Sequence, residues 1–491
     1  MSLGRSAYDD MPRYAAAPVP GPRDRQAVVI LGAGPVGLAL ALGLARHGQP
    51  CVVIEPRNQV SFGSRAVCIS RRSLELLAGL DATDGLLAQG LAWTDGRSDW
   101  RGHEVLRFAM PHDADQQHPP MLNLQQCFTE QALVDAARAR PEIALRWGHA
   151  MRAITPREDG VALTIAAPDG DYAIDADWVV ACDGARSPTR AALGLALRGE
   201  SHEGRYLIAD IRADIDLPTE RRAWFDPPAN PGSTVLMHRQ PGGIWRIDYQ
   251  LLPEEDAEAA QREEAVRARV DAHLAAIGRA CDYELILISL YRAHELTLDR
   301  YRHGRVLLAG DAAHLLPIFG VRGMNSGIED AGSLAWMLAA VARDEAGAAL
   351  LDAWSAERVQ AARENIRQAH KSTLFMTPPT RGHALLRDAA LSLAVSQGWA
   401  RALVNPRQSA AVAQPDSALS TPEQGNWPAG TPGPGAVLPS VPLGQPDGTP
   451  CWLADLLAGE TAVVAAGPLP GPVPARLIRI GPDGEARDGA G

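Results

Sequence analysis

The stretch Ala27-Val-Val-Ile-Leu-Gly-Ala-Gly-Pro-Val-Gly37 restricts this chain more than any other. Its unbroken apolar run reads as a strand covered on both faces, as strands of a parallel sheet do. Three glycines follow at Gly-x-Gly-x-x-Gly spacing, Gly32, Gly34 and Gly37, with Pro35 and Val36 between the last two. Leu38, Leu40, Leu42 and Leu44 then mark a helix, and Cys51-Val-Val-Ile-Glu55 a second strand. Strand, turn, helix and strand in that order open a doubly wound α/β sheet. Gly32 permits the tight exit from the strand, Gly34 lets the backbone approach a pyrophosphate, and Gly37 lets the helix pack close. The helix N-terminus offers free N–H groups to the anion. Glu55 ends the second strand where a carboxylate can accept from ribose hydroxyls, with Arg57 just beyond it. The unit asks for a dinucleotide and leaves NAD and FAD both open.

Two later segments add to it. One is Val179-Val-Ala-Cys-Asp183-Gly184-Ala-Arg186-Ser187-Pro-Thr-Arg190. The other is Val306-Leu-Leu-Ala-Gly310-Asp311-Ala-Ala-His314, which runs through Pro317 to Gly323-Met324-Asn325. Between the first two lie Ser64-Arg65-Ala66 and Gln126-Cys-Phe-Thr-Glu130-Gln-Ala-Leu133. In order and spacing the set resembles the single-component flavoprotein aromatic hydroxylases, the para-hydroxybenzoate hydroxylase class. Asp226-Pro227-Pro228 and Trp245–Tyr249 resemble its 3-(3-hydroxyphenyl)propionate and phenol hydroxylase branch. The resemblance covers roughly residues 26–375.

The resemblance implies FAD as cofactor, NAD(P)H as a transient co-substrate, and O2 and a small aromatic compound as substrates. Asp311 is then expected on a ribityl hydroxyl. The helix opening at Gly323-Met324-Asn325 is expected to aim its N-terminus at the flavin pyrimidine edge, where a helix dipole stabilises negative charge on the reduced ring. Asp183 belongs to a turn serving FAD and NAD(P)H, Gln126 to the diphosphate or ribityl region, and Arg65 to the flavin's approach path. Pro317 matches the family, but Ile318 stands where a second proline is frequent; its carbonyl is the expected contact to a phenolic substrate, without proline's fixed φ. The chemistry implied is hydroxylation through a flavin C4a-hydroperoxide. No second Gly-x-Gly-x-x-Gly unit is present, so NAD(P)H has no Rossmann domain of its own.

The fold expected is a Rossmann-like FAD-binding domain with an inserted α+β substrate domain of mainly antiparallel sheet. Residues 1–25 read as a disordered Pro-rich leader, 26–198 as the first part of the FAD-binding domain and 199–298 as the substrate domain. Residues 299–404 read as its second part with long helices, 405–435 as a linker or extended arm, and 436–491 as an abbreviated thioredoxin-like segment. Alternation along Gly243-Ile-Trp-Arg-Ile-Asp-Tyr-Gln-Leu251 puts Arg246 and Asp248 on one face and Trp245, Ile247 and Tyr249 on the other. His238, Arg239, Arg246 and Tyr249 are the polar candidates for substrate binding or base work, and His314 is expected to be a structural hydrogen bonder.

Composition removes several classes. A formal charge of −11 argues against nucleic acid as a partner. Six cysteines without a Cys-x-x-Cys fit neither a zinc ribbon nor a redox disulfide, and no spacing of His, Cys, Asp or Glu suggests a metal. No apolar run reaches the 18 or so residues of a membrane span, and no signal sequence is visible, so cytoplasm is expected. A homodimer is left open. Lys371 is the sole lysine, and the Trp-x-Trp-x-Ile-Pro segment of the flavin halogenases is absent. An oxidase, a Baeyer–Villiger-like enzyme, an epoxidase and a non-catalytic FAD module remain as alternatives; the last would not retain the Asp183 and Gly310 segments.

Overall fold

The computed structural model describes residues 8, 10–21, 24–112, 115–404, 408–421, 432–445, 447, 449–457, 462–465, 476–480 and 486–489. Its glycine-rich unit folds as the apolar pattern demands. Strand Asp24–Leu31 runs parallel to Cys51–Glu55 on one side and Tyr172–Ala181 on the other, with Val29 opposite both Val52 and Val179. Ile143–Trp147 and Val306–Leu308 extend the sheet in parallel at the two flanks. The stretch 150–177 supplies the expected hairpin, Ala150–Pro156 with Val161–Ala166, which joins Tyr172–Ala181 antiparallel. Helices Pro35–Arg46 and Gly323–Ala342 pack on each other so tightly that a Cβ on Gly43 would lie 2.5 Å from the Cβ of Ala335. Parallel strands bring their C-terminal ends to one edge, so the turns after Leu31, Ala181 and Leu308 converge there.

A second sheet has eight strands in the order His314–Leu315, Glu284–Thr297, Arg198–Arg212, Ile244–Leu251, Thr234–Gln240, Arg221–Phe225, Asp95–Trp100 and His103–Ala109. The stretch expected as the substrate domain, 199–298, supplies its middle. The last two strands come from 95–109, within the part read as FAD-binding domain, and correct that boundary. Asp95-Gly-Arg-Ser-Asp-Trp100 is too polar to announce a strand; it forms one by pairing in parallel with Arg221–Phe225. Trp245, Ile247 and Tyr249 form the outer face with Val266, Val270 and Leu274 of helix Glu263–Ala276. On the inner face His238 lies opposite Arg246, and Arg246 opposite Asp210. Helix Ala349–Met376 covers this face, where the Thr234 hydroxyl donates to the Met376 carbonyl at 3.3 Å.

Two expectations of loose chain are corrected. The leader is docked where it is described: Tyr8 is 1% exposed and donates to Asp210 Oδ2 at 3.0 Å, and Tyr14 stacks on Trp147 with ring centres 4.6 Å apart. Prolines deny this segment a helix, and its aromatic rings anchor it instead. Within 405–435, Ser409 N–H donates to the Gly320 carbonyl at 2.8 Å, so the described part is an arm laid against the molecule. In the C-terminal segment, Ala462–Ala465 pairs parallel with Arg476–Ile480, which pairs antiparallel with Ala486–Gly489. Pro442–Gly444 pairs antiparallel with Pro450–Trp452, and Leu443 and Leu453 share an apolar cluster with Ile478 and Ala486; residues 458–461, 466–475 and 481–485 of the thioredoxin-like reading lie outside the described residues.

One carboxylate joins the elements that carry the site. Asp330, fully buried in helix Gly323–Ala342, accepts from Gly310 N–H at 3.0 Å and from His314 Nε2 at 2.7 Å on Oδ2. Its Oδ1 accepts from Arg358 Nε at 2.7 Å. Burial alone would raise this carboxyl; His314 and Arg358 outweigh it and hold Asp330 below its ordinary 3.8. A depressed carboxyl stabilises the fold above its unfolded value and loses that contribution as pH falls through the folded one. Asp330→Asn should therefore cost about 3–5 kcal/mol in urea unfolding at neutral pH, the range for breaking a buried ion pair. The gap to the wild-type protein should narrow only below about pH 4. A loss under about 1 kcal/mol at neutral pH would show that the carboxylate does not tie these elements together.

Candidate functional site

The three turns at the sheet edge form a cradle. Gly32 has φ 107°, and a Cβ there would meet the Cys182 carbonyl oxygen at 2.5 Å and Asp183 Cα at 3.2 Å. A Cβ on Gly37 would lie 2.0 Å from the Gly32 oxygen, so both glycines are required by close backbone approach. Gly34 differs: its φ is −78°, and a Cβ would meet nothing within 4 Å. It faces open space at the start of helix Pro35–Arg46, whose first turn has no side-chain cap. Val36 fills the gap left by two other glycines, since a Cβ on Gly310 or Gly327 would come 2.9 or 2.5 Å from its Cγ2. Glu55 is buried; it accepts from Ala33 N–H at 2.8 Å and from Arg57 Nε at 2.8 Å. It braces the turn itself, and Arg57 holds it there.

Asp183 accepts from Thr189 N–H at 3.0 Å with Oδ2, while its buried Oδ1 has no partner. Arg190 ties this turn to the next, donating to the carbonyls of Ala185 at 2.7 Å and Ala312 at 3.0 Å. Asp311 is solvent-accessible, yet burial raises its carboxyl above the ordinary value, as befits a group at the floor of a recess. Arg65, also accessible, acts on it as a nearby positive charge. Helix Gly323–Ala342 starts without a side-chain cap, and a Cβ on Gly323 would meet open space. Two uncapped helix N-termini, an open Gly34, an unpartnered Asp183 oxygen and an accessible Asp311 fit a ligand with a pyrophosphate and a polyol chain.

Other expected residues serve the frame around this cradle. Gln126 accepts from Ala66 N–H at 3.1 Å and donates to Glu130 at 2.7 Å, anchoring the 61–66 loop. The Asn325 side chain is saturated by Ser70 N–H, Ser73 Oγ and the carbonyls of Cys68 and Val321, so only its backbone N–H can face a cofactor. Met324 packs on the core, and Pro317 is buried. The Ile318 carbonyl accepts from Val321 N–H at 3.2 Å within its turn, which uses one of its two lone pairs. Tyr249 is a correction: it lies in the apolar cluster on the outer face of the second sheet, with the sheet between it and the cradle. His314 is the structural bonder expected.

The inner face of that sheet is the other wall. Arg246 is buried; it pairs with Asp248 at 3.1 Å and donates to the carbonyls of Ser64 and Arg65, each at 3.0 Å. It thereby fixes the loop that carries Arg65 toward Asp311. His238 Nε2 lies 3.6 Å from Asp248 Oδ2, its Nδ1 has no partner, and burial lowers its pKa. Burial raises Asp210 to about 6, even with Arg246 nearby. Beside this row is a cavity of about 270 Å³ between the sheet and helix Ala349–Met376. Phe108, Phe225, Phe319 and Phe375 wall it, and Arg221 and Lys371 reach into its lining. The Phe319–Gly320 turn ends the cavity and leads directly into the uncapped N-terminus at Gly323. Sequence reading missed Asp330, Asp210 and Arg221. The visible signal for Asp330 was an acidic pair, Glu329-Asp330, inside an otherwise apolar helix.

The FAD binding domain family model matches residues 25–369. The chain belongs to that family. Over 361 residues it is 32% identical to the 3-(3-hydroxy-phenyl)propionate/3-hydroxycinnamic acid hydroxylase of Mycolicibacterium smegmatis, covering 74% of this chain and 63% of that one. The chain thus spans less than two thirds of that relative's length. A ternary complex of aklavinone-11 hydroxylase with FAD and aklavinone is 25% identical, with TM-score 0.72 over 90% of this chain and 84% of that one. The flavin-dependent monooxygenase PieE, at 24% identity, shares the fold with TM-score 0.78 over 94% and 91%. FAD is the cofactor of this family, and the Rossmann-like FAD-binding fold that the resemblance implied is the one observed. Gly34→Val should leave folding intact, because its φ suits any residue and no protein atom is displaced, yet weaken FAD retention by at least about tenfold. Gly37→Ala should instead impair folding. Flavin absorbance after gel filtration and circular dichroism separate the two; a Gly34→Val protein that keeps its flavin would place the pyrophosphate elsewhere.

Proposed function

We propose that the protein is an NAD(P)H-dependent monooxygenase that hydroxylates a phenolic or related electron-rich aromatic compound. The observation that carries this reading is the Phe-walled cavity whose Phe319–Gly320 turn runs on in the chain to the uncapped helix start at Gly323. FAD, when bound, would supply the redox chemistry, hydride acceptance from NAD(P)H and oxygen transfer from O2 to the ring. The chain's own residues bind, orient and shield. The N–H groups following Gly34 hold the pyrophosphate, Asp311 accepts from the ribityl chain, and the helix starting at Gly323 sets positive potential at the flavin edge. Arg65 and the Asp183 turn line the approach of the nicotinamide coenzyme. The apolar walls exclude water, which protects the activated oxygen from decay. His238, whose pKa burial lowers and whose Nδ1 has no partner, stands in the row beside the cavity as the candidate base for the phenolic proton. Asp248 faces its other nitrogen.

The relatives' names point to phenolic acids as first substrates to try. A homodimer in the cytoplasm completes the reading: the six cysteines are unpaired, and Leu385, Leu386, Leu393 and Trp399 form an exposed apolar strip suited to a second copy. Among the described residues no helix is long and apolar enough to cross a membrane. With 3-(3-hydroxyphenyl)propionate or a related phenol, NADH or NADPH consumption should rise about tenfold or more over the substrate-free rate, as a gated reduction requires. Hydroxylated product should match coenzyme consumed. Consumption that yields only H2O2 across a broad panel of phenols would make the protein an oxidase instead.

A further inference from the structure

Between Glu55 and Cys68 the chain forms neither helix nor strand, yet it carries two arginines that touch the walls of the cradle. Arg57 pairs with Glu55 behind the glycine turn, and Arg65 acts on Asp311 as a nearby positive charge. Such a segment keeps its shape through bonds from outside it. Helix Gln126–Arg138 supplies two: Glu130 Oε2 accepts from Ser61 N–H at 2.5 Å, and Gln126 Oε1 from Ala66 N–H at 3.1 Å. Arg246 supplies two more, to the Ser64 and Arg65 carbonyls. The N-terminal segment clasps the same wall at both ends. Tyr14 N–H donates to the Asn58 carbonyl at 2.7 Å, while its ring stacks on Trp147 and its hydroxyl accepts from the Gln131 amide at 2.7 Å. Tyr8 meets Phe62 edge-on with ring centres 6.1 Å apart, and its hydroxyl donates to Asp210, which lies opposite Arg246. Burial pushes this phenol well above its ordinary value, so it remains a donor at neutral pH.

We propose that this N-terminal segment is a latch on residues 56–67, and that FAD enters and leaves the cradle when the latch lets go. The inference rests on the family's cofactor and not on the hydroxylase reading. Affinity follows contacts that differ between the free and the loaded protein; Tyr8 and Tyr14 contact protein, so the latch governs the rate of exchange more than its equilibrium. Dilution of the FAD-loaded protein tests this, because flavin fluorescence gives the dissociation rate during release and Kd at its end point. Deleting residues 1–16 should raise the dissociation rate at least about tenfold while Kd stays within about threefold. Tyr8→Phe, which removes one hydrogen bond and keeps the ring, should raise the rate about threefold at unchanged Kd. Circular dichroism reports that each variant is folded, and Tyr8→Phe decides alone if the truncated chain does not fold. An unchanged dissociation rate in a folded variant would overturn the latch. So would a Kd that rises in step with the rate, which marks damage to the site itself. No turnover is measured, so failure to hydroxylate any phenol would remove the hydroxylase reading and leave this result standing.

Discussion

The buried carboxylate of Asp330 is the interaction on which the arrangement of the site depends. A charge taken out of water is costly unless it is paired and hydrogen-bonded, and Asp330 is both, with three donors from three elements. Gly310 belongs to the turn that presents Asp311, His314 to the strand that joins the second sheet, and Arg358 to the long helix over the inner face. The group is also on the helix that opens at Gly323. A single side chain thus ties together the Asp311 turn, the Gly323 helix and the cavity wall.

The second sheet applies the same logic from the other side. Its register gathers His238, Arg246 and Asp210 in one row, facing the FAD-binding domain rather than water. Arg246 spends its donors on Asp248 and on the carbonyls of Ser64 and Arg65, so the substrate sheet holds the flavin-side loop by charge-assisted bonds. Asp210 is bonded by Tyr8, which brings the N-terminal segment into the same network. The neighbouring cavity is apolar in its walls and cationic at Arg221 and Lys371.

What the sequence made legible follows from how local each signal is. Gly32, Gly34 and Gly37 act within one turn, so their roles could be read from spacing; the close contacts at Gly32 and Gly37 agree with that reading. The faces of the strand Ile244–Leu251 were also legible, because alternation is a property of the strand alone. Which face meets the cradle was not, since it depends on the helix Glu263–Ala276 packing behind Tyr249. The strands from 95–109 were hidden because their pairing is supplied by Arg221–Phe225, far along the chain. Tyr8 and Asp330 share that difficulty: each matters through partners 16 or more residues away. Gln126 and Asn325 were found as motif residues, yet their side chains brace the cradle rather than fill it.

On the proposed function, the cavity beside the cradle is where one oxygen atom of O2 reaches an aromatic ring. A single-turnover reaction under heavy-isotope dioxygen tests this most directly, with the FAD-loaded protein, one equivalent of NAD(P)H and a phenolic acid, and mass spectrometry of the product. The expected product is a hydroxylated ring carrying one heavy oxygen atom, with the other atom in water. Product with oxygen from water, or unchanged phenol with both heavy atoms in hydrogen peroxide, would contradict it.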